Sequence, residues 1–266
     1  MSKRARVIFI CVVVIAASVA VAFIPRIPQP QSYHNFADHR SFAGINNFMD
    51  VISNLALLVA GFWGLSVTFS PKNRNAFAKA FERWPYAVFF LGAALTCFGS
   101  IYYHLAPNNW TLVWDRLPIT IAFMSIVAAV IAERISVTAG LKLLLPLILL
   151  GAASVFYWYA TEAQGVGDLR LYLSVQAFAI LFIALTLLLF EPKYTRGGDF
   201  IVAIGFYALA KVFEVFDRPI FNAGHIISGH TLKHLAVAVS VFWLARMIQK
   251  RRPVPVFRSR LVSVKR

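Results

Sequence analysis

Long, unbroken apolar blocks are the feature of this sequence that leaves it the fewest ways to fold. Eight can be marked out, over residues 7–24, 47–69, 86–104, 117–132, 141–160, 171–189, 200–216 and 227–247, parted by polar interruptions such as Pro71-Lys72-Asn73-Arg74 and Glu191-Pro192-Lys193. Each is near the roughly 20 residues that a helix needs to cross about 30 Å of hydrocarbon. In that medium every backbone N–H and C=O must be bonded within the chain, so the choice lies between helices and a closed barrel. Barrel strands are about 10 residues long and alternate in polarity, whereas these blocks are longer and continuously apolar. With 59% hydrophobic residues and a mean hydropathy of +0.70, the expectation is an all-α polytopic membrane helix bundle. Its parts are an N-terminal segment with an anchor span (1–32), a domain of seven spans (33–247) and a basic tail (248–266).

The formal net charge of +15 could suggest nucleic acid, but its distribution speaks for topology instead. With the N-terminus in the cytoplasm, nineteen of the 26 basic residues fall in inner segments, and only Arg26, Arg40, Arg116, Arg170 and Arg218 in outer ones. The span count and the positive-inside rule thus agree that both termini are cytoplasmic. The tail, with eight basic residues from Arg246 onward, is expected to rest on anionic lipid rather than to bind nucleic acid. The first block follows Lys3-Arg4-Ala5-Arg6 and lacks a clear small-x-small site before Pro25, so it reads as an uncleaved anchor rather than a secretory signal. Cys11 and Cys97 both fall within spans and read as small apolar residues, not as a disulfide. Asp115-Arg116-Leu117-Pro118 and Asp217-Arg218-Pro219 both read as an Asp cap followed by Pro near a helix start.

His230 and His234 lie four residues apart at the head of the last block, so one helical turn aims both imidazoles the same way. Ionisable groups within a span are costly and usually functional, and two on one face need a shared partner such as a metal ion. His104 ends the block 86–104, and a loop of about ten residues is expected to lead to Asp115 at the next helix start. All six histidines then fall near the outer face, and bundle packing can bring His104 beside His230 and His234. Three imidazoles with an open fourth position are a catalytic zinc arrangement. Ser100, one turn before His104, could donate to a developing oxyanion, and Asp115 could hold and deprotonate a water. Each has a plainer reading: Ser100 as a helix-packing residue, Asp115 as an N-cap, His104 as a hydrogen-bonding residue between helices. Lys233 is expected to snorkel to the outer surface, Lys211 and Glu214 to pair with each other, and His34, His39 and His225 to sit at the interface.

Ser53-Asn54, Ser100-x-x-x-His104, Asp115 eleven residues later and His230-x-x-x-His234 occur in the order and at the spacing of a known set of membrane enzymes. Across roughly residues 33–247 the chain resembles the alkaline ceramidase family, within the seven-span metal-dependent hydrolases that include the adiponectin receptors. The resemblance implies that His104, His230 and His234 bind zinc, that Asp115 positions the water and that Ser100 assists at the metal centre. It also implies hydrolysis of the amide bond of ceramide, or of a related N-acyl lipid entering from the bilayer, to a fatty acid and an amine-bearing lipid.

Two departures qualify the transfer. The family's calcium-binding acidic cluster is reduced here to Asp38, Asn47 and Asp50, which makes calcium doubtful, and the first span is additional. The extra span, short loops and biased charge suit a bacterial inner-membrane homologue, whose amide lipid need not be ceramide. Two rivals remain at this stage. One is a receptor-like or ligand-binding zinc protein with little turnover. The other is a haem carrier, disfavoured because two histidines four apart on one helix cannot ligate opposite faces of one haem.

Overall fold

The computed structural model describes residues 1–254, which form ten α-helices. They are α1 (Lys3–Ala22), α2 (Phe48–Ser53), α3 (Leu55–Phe69), α4 (Trp84–Leu105), α5 (Asn109–Val130), α6 (Val137–Ala163), α7 (Arg170–Leu189), α8 (Asp199–Val215), α9 (Asp217–Gly224) and α10 (Gly229–Lys250). Among the described residues there is no β-strand, only the isolated bridges Phe42–Ile45 and Tyr194–Pro253. Seven helical stretches are long and apolar enough to cross a membrane, so the chain is an all-α polytopic bundle, as its sequence implies. They are α1, α2 with α3, α4, α5, α6, α7 and α10. The remaining expected span, 200–216, is the 17-residue α8, about 25 Å long at 1.5 Å per residue. Large apolar side chains such as Ile15, Val59, Phe62, Leu145, Leu188 and Ile201 point outward, as lipid-facing residues do.

Helix α4 packs between α3 and α5, α10 lies against α3 and α8, and α5 also carries α6. Helix α1 stands at the edge against α7 and buries only Ile10. Polar ties hold its ends: Arg6 donates to the Leu189 carbonyl at 2.7 Å, and Arg170 to those of Ala22 and Ile24 at 3.1 and 2.6 Å. Arg170 also clamps Asp168 just before α7, at 2.7 and 2.9 Å, and this hydrogen bonding draws the carboxyl down to about 2.

Two expectations are corrected. The connection from α4 to α5 is residues 106–108, not about ten, so Asp115 lies in the second turn of α5 rather than at its start. The cap is Asn108, whose side chain accepts from Trp110 and Thr111 N–H at 2.9 and 3.0 Å while the Thr111 hydroxyl accepts from the Asn108 N–H at 3.2 Å. The polar run Asn108-Asn109-Trp110-Thr111 is this capping box and first turn, too polar to be read as membrane span. Asp217 opens α9 but does not cap it; its carboxylate accepts from the N–H of Ala37 at 3.0 Å and of His230 at 2.8 Å.

The end of the bundle away from the histidines is held by buried charge. Arg251, expected to lie on lipid with the tail, is 1% exposed. It donates to Glu133 at 2.8 Å, to the Tyr86 hydroxyl at 3.0 Å and to the Ala76 carbonyl at 3.0 Å. Its guanidinium also stacks on Phe77, Tyr86 and Tyr194. Nearby, Lys193 pairs with Glu82 at 2.7 Å and Arg134 donates to the Phe190 carbonyl at 2.8 Å. The rest of the expected lipid-contacting tail, residues 255–266, lies outside the described residues.

Candidate metal centre

His104 is the penultimate residue of α4, and its carbonyl accepts from Asn47 Nδ2 at 2.9 Å. His230 and His234 occupy the first two turns of α10. That helix is capped by Ser228, whose Oγ accepts from the Thr231 N–H at 3.0 Å. Thr231 in turn donates to the fully buried Asp50 at 2.6 Å, which ties the head of α10 to α2. Gly229 permits a close approach: a Cβ there would stand 2.2 Å from the Phe213 carbonyl oxygen and 2.7 Å from Asp217 Cα. The missing side chain lets the α8–α9 corner press against the start of α10, where Asp217 meets the His230 N–H.

These helix ends bring the three histidines together. Their ring centroids form a nearly equilateral triangle, 4.8 Å for His104–His230, 4.9 Å for His230–His234 and 5.1 Å for His104–His234. One ligand nitrogen from each lies within 4.8 Å of the others, and all three residues are buried. Among the described residues this is the one grouping of His, Cys, Asp or Glu arranged to hold a metal ion. Phe36 covers it, its ring 4.5 Å from His104 and 4.8 Å from His230.

The donor set fits a metal. His104 Nδ1 and His230 Nε2 are buried without a hydrogen-bond partner, a costly state for polar atoms that a cation would relieve. His234 Nδ1 lies 2.8 Å from Ser53 Oγ, which is itself 3.1 Å from the Asp50 carbonyl. With the serine proton given to that carbonyl, Oγ accepts from Nδ1–H and Nε2 is left bare for a ligand, the usual outer support of a metal-bound histidine. Ser53 was legible only as part of the Ser53-Asn54 motif; its partner on α10, 181 residues away, was not.

Ser100 and Asp115 join the same site. Ser100 on α4 and Asp115 on α5 come to one cavity wall across the contact of the two helices. Gly99 makes this possible, because α5 passes so close that a Cβ would stand 2.0 Å from the Trp114 carbonyl oxygen. Ser100, Asp115 and His234 line one cavity of about 190 Å³, together with Lys233, Glu214 and Lys211. Away from this polar end its walls are largely apolar, with Phe89, Ile126, Ile183, Val241 and Leu244 among them.

The other candidates are placed as follows. Lys211 pairs with Glu214 as expected, but Lys233 does not snorkel outward; it turns into the cavity and pairs with Glu214 at 3.1 Å. The carboxylate on α8 outcompetes the surface because it lies within reach inside the bundle. His34 bonds Tyr103 at 2.9 Å and Asn109 at 3.0 Å, His39 bonds Asn35 at 2.9 Å, and His225 is exposed at the end of α9. The residues considered for calcium have separate partners: Asp38 is clamped by Arg40 at 2.6 and 2.7 Å, Asn47 donates to His104, and Asp50 accepts from Thr231. Burial pushes the Asp38 carboxyl up, and the Arg40 guanidinium more than reverses this, leaving it below its usual value. No family model matches the chain, and no curated protein matches it in sequence.

Proposed function

We propose that this protein is a zinc-dependent intramembrane hydrolase of lipid amides, similar in its centre to the alkaline ceramidases. The observation that carries the reading is the three-histidine triangle, one corner of which, His234, lines with Asp115 and Ser100 the polar end of a cavity whose remaining walls are largely apolar. Three imidazoles that leave a position open suit zinc and hydrolysis better than a closed structural site. The cavity lies among membrane-spanning helices, so a lipid already dissolved in the bilayer can bring a polar amide to the histidines and leave its chain along Val241 and Leu244.

His104, His230 and His234 would hold the metal, which supplies a Lewis acid for the amide carbonyl and acidifies water. Asp115 accepts the proton of the attacking water and returns it to the departing amine. The Ser100 hydroxyl, on the same cavity wall as Asp115, is placed to donate to the developing oxyanion. Phe36 keeps bulk water from the histidines on one side. The decisive test is release of fatty acid and amine from a panel of N-acyl lipids, ceramide included, by purified protein in proteoliposomes. Asp115→Asn should cut turnover by about 10²–10⁴ while metal stays bound. Folded, metal-loaded wild type that splits no lipid amide would favour the receptor-like alternative.

We propose further that the histidine end faces outward, as in a bacterial inner-membrane protein with cytoplasmic termini; the gathering of Arg6, Arg134, Lys193 and Arg251 at the other end supports that orientation. A reporter inserted at Asn108 that proved cytoplasmic would overturn that orientation.

A further inference from the structure

Two lysines share one glutamate on the cavity wall: Lys211 pairs with Glu214 along α8, and Lys233 reaches Glu214 from α10 at 3.1 Å. All three side chains line the cavity that also holds Ser100, Asp115 and His234. The glutamate has three of its about four acceptor positions taken. Its Oε1 accepts from Lys233 and from the Tyr33 hydroxyl at 3.2 Å, and its Oε2 from Lys211. The lysines are less filled, because each ammonium has three N–H donors and gives one to Glu214. Arg116, behind the cavity-lining rings of Tyr33 and Tyr172, adds a third cation. It is 5% exposed, donates to Gln29 at 2.6 Å, leaves Nη1 without a partner and forms no carboxylate pair among the described residues. Lys211 and Lys233 thus keep spare donors on the cavity wall, and behind it stands a cation that no carboxylate among the described residues pairs.

We infer that Lys211 and Lys233 select a substrate whose headgroup carries an acidic group, a carboxylate or phosphate, close to the scissile amide. An ammonium headgroup finds little acceptor capacity left at Glu214 and two ammonium groups that repel it, whereas an anion finds two ammonium groups with spare donors, and the bonds they would form are charge-assisted. The inference rests on the lipid-amidase reading for the bond that is cut, and on the lysines alone for the headgroup.

The test is equilibrium binding to the full-length, metal-loaded protein in detergent, using oleyl phosphate and oleyl alcohol, which contain no amide and survive any turnover. Oleyl phosphate should bind at least about tenfold more tightly than oleyl alcohol. Lys211→Gln and Lys233→Gln should each erode that ratio, and Glu214→Gln should widen it. Phosphate ligation of the metal would be common to all four proteins, so the change among variants reads the lysines, and the gain in Glu214→Gln separates recognition from damaged folding. Inorganic phosphate should not compete if the site serves a lipid headgroup; competition at similar concentration would overturn the lipid assignment. Equal binding of the two amphiphiles by wild type, or a ratio unmoved in the variants, would overturn the inference and leave the amidase reading standing. Selective binding without hydrolysis of any lipid amide would overturn only the amidase reading.

Discussion

Replacing Gly99 with alanine is the smallest change that reaches the proposed centre through the fold itself. The added Cβ would stand 2.0 Å from the Trp114 carbonyl oxygen, 2.7 Å from its carbon and 3.2 Å from the Cα of Asp115. Relaxed contacts lie at about 3.5–4.0 Å, so α4 and α5 must part by roughly 1 Å or more. The obstacle is backbone, which no side-chain rotation relieves. Overpacking of this kind costs about 1–3 kcal/mol, partly offset by alanine's advantage of roughly 1 kcal/mol over glycine within a helix. Turnover should suffer more than stability, because Asp115 follows Trp114 and a reacting group misplaced by about 1 Å loses on the order of 10²-fold in rate. Gly205→Ala in α8, whose Cβ would meet nothing within 4 Å, is the control and should be neutral or slightly stabilising. Turnover of N-acyl lipids and the thermal midpoint are measured together in detergent. Wild-type turnover and midpoint in Gly99→Ala would refute the claim that this helix contact sets the position of Asp115.

Two further outcomes are expected. Ser53→Ala removes the hydroxyl that orients His234, and zinc affinity measured by competition with a chelator should fall about 10–100-fold; unchanged affinity would mean that His234 needs no such support. The Asp168 carboxyl is held near 2 by Arg170, below its unfolded value, so its contribution is complete above about pH 4 and is lost as pH falls toward about 2. Asp168→Asn should therefore be less stable than wild type at neutral pH and show a smaller loss over that acid window; parallel pH–stability curves would contradict the assignment.

The bundle was legible because apolar blocks of membrane length admit few alternatives, and the histidines because His230 and His234 share a helical face. Asp115 was found but misplaced. Its helix begins with a polar capping box at Asn108, which hydropathy alone reads as loop. The long-range partners were not legible: Ser53 with His234 and Asp217 with His230 join residues whose relation depends on the approach of separate helices. Gly99 and Gly229 carried a trace of that approach, since each stands beside a site residue where a side chain would collide with a neighbouring backbone. The inward turn of Lys233 was hidden for the same reason. Nothing local to its sequence reveals that Glu214 waits inside the bundle.

The central claim is tested most directly by metal analysis of the purified, folded protein and of His104→Ala, His230→Ala and His234→Ala. The account predicts about one zinc per wild-type chain and loss of most of it in each variant, because three imidazoles are the whole protein ligand set. Wild type that binds no zinc, or variants at His230 and His234 that keep it in full, would contradict the account.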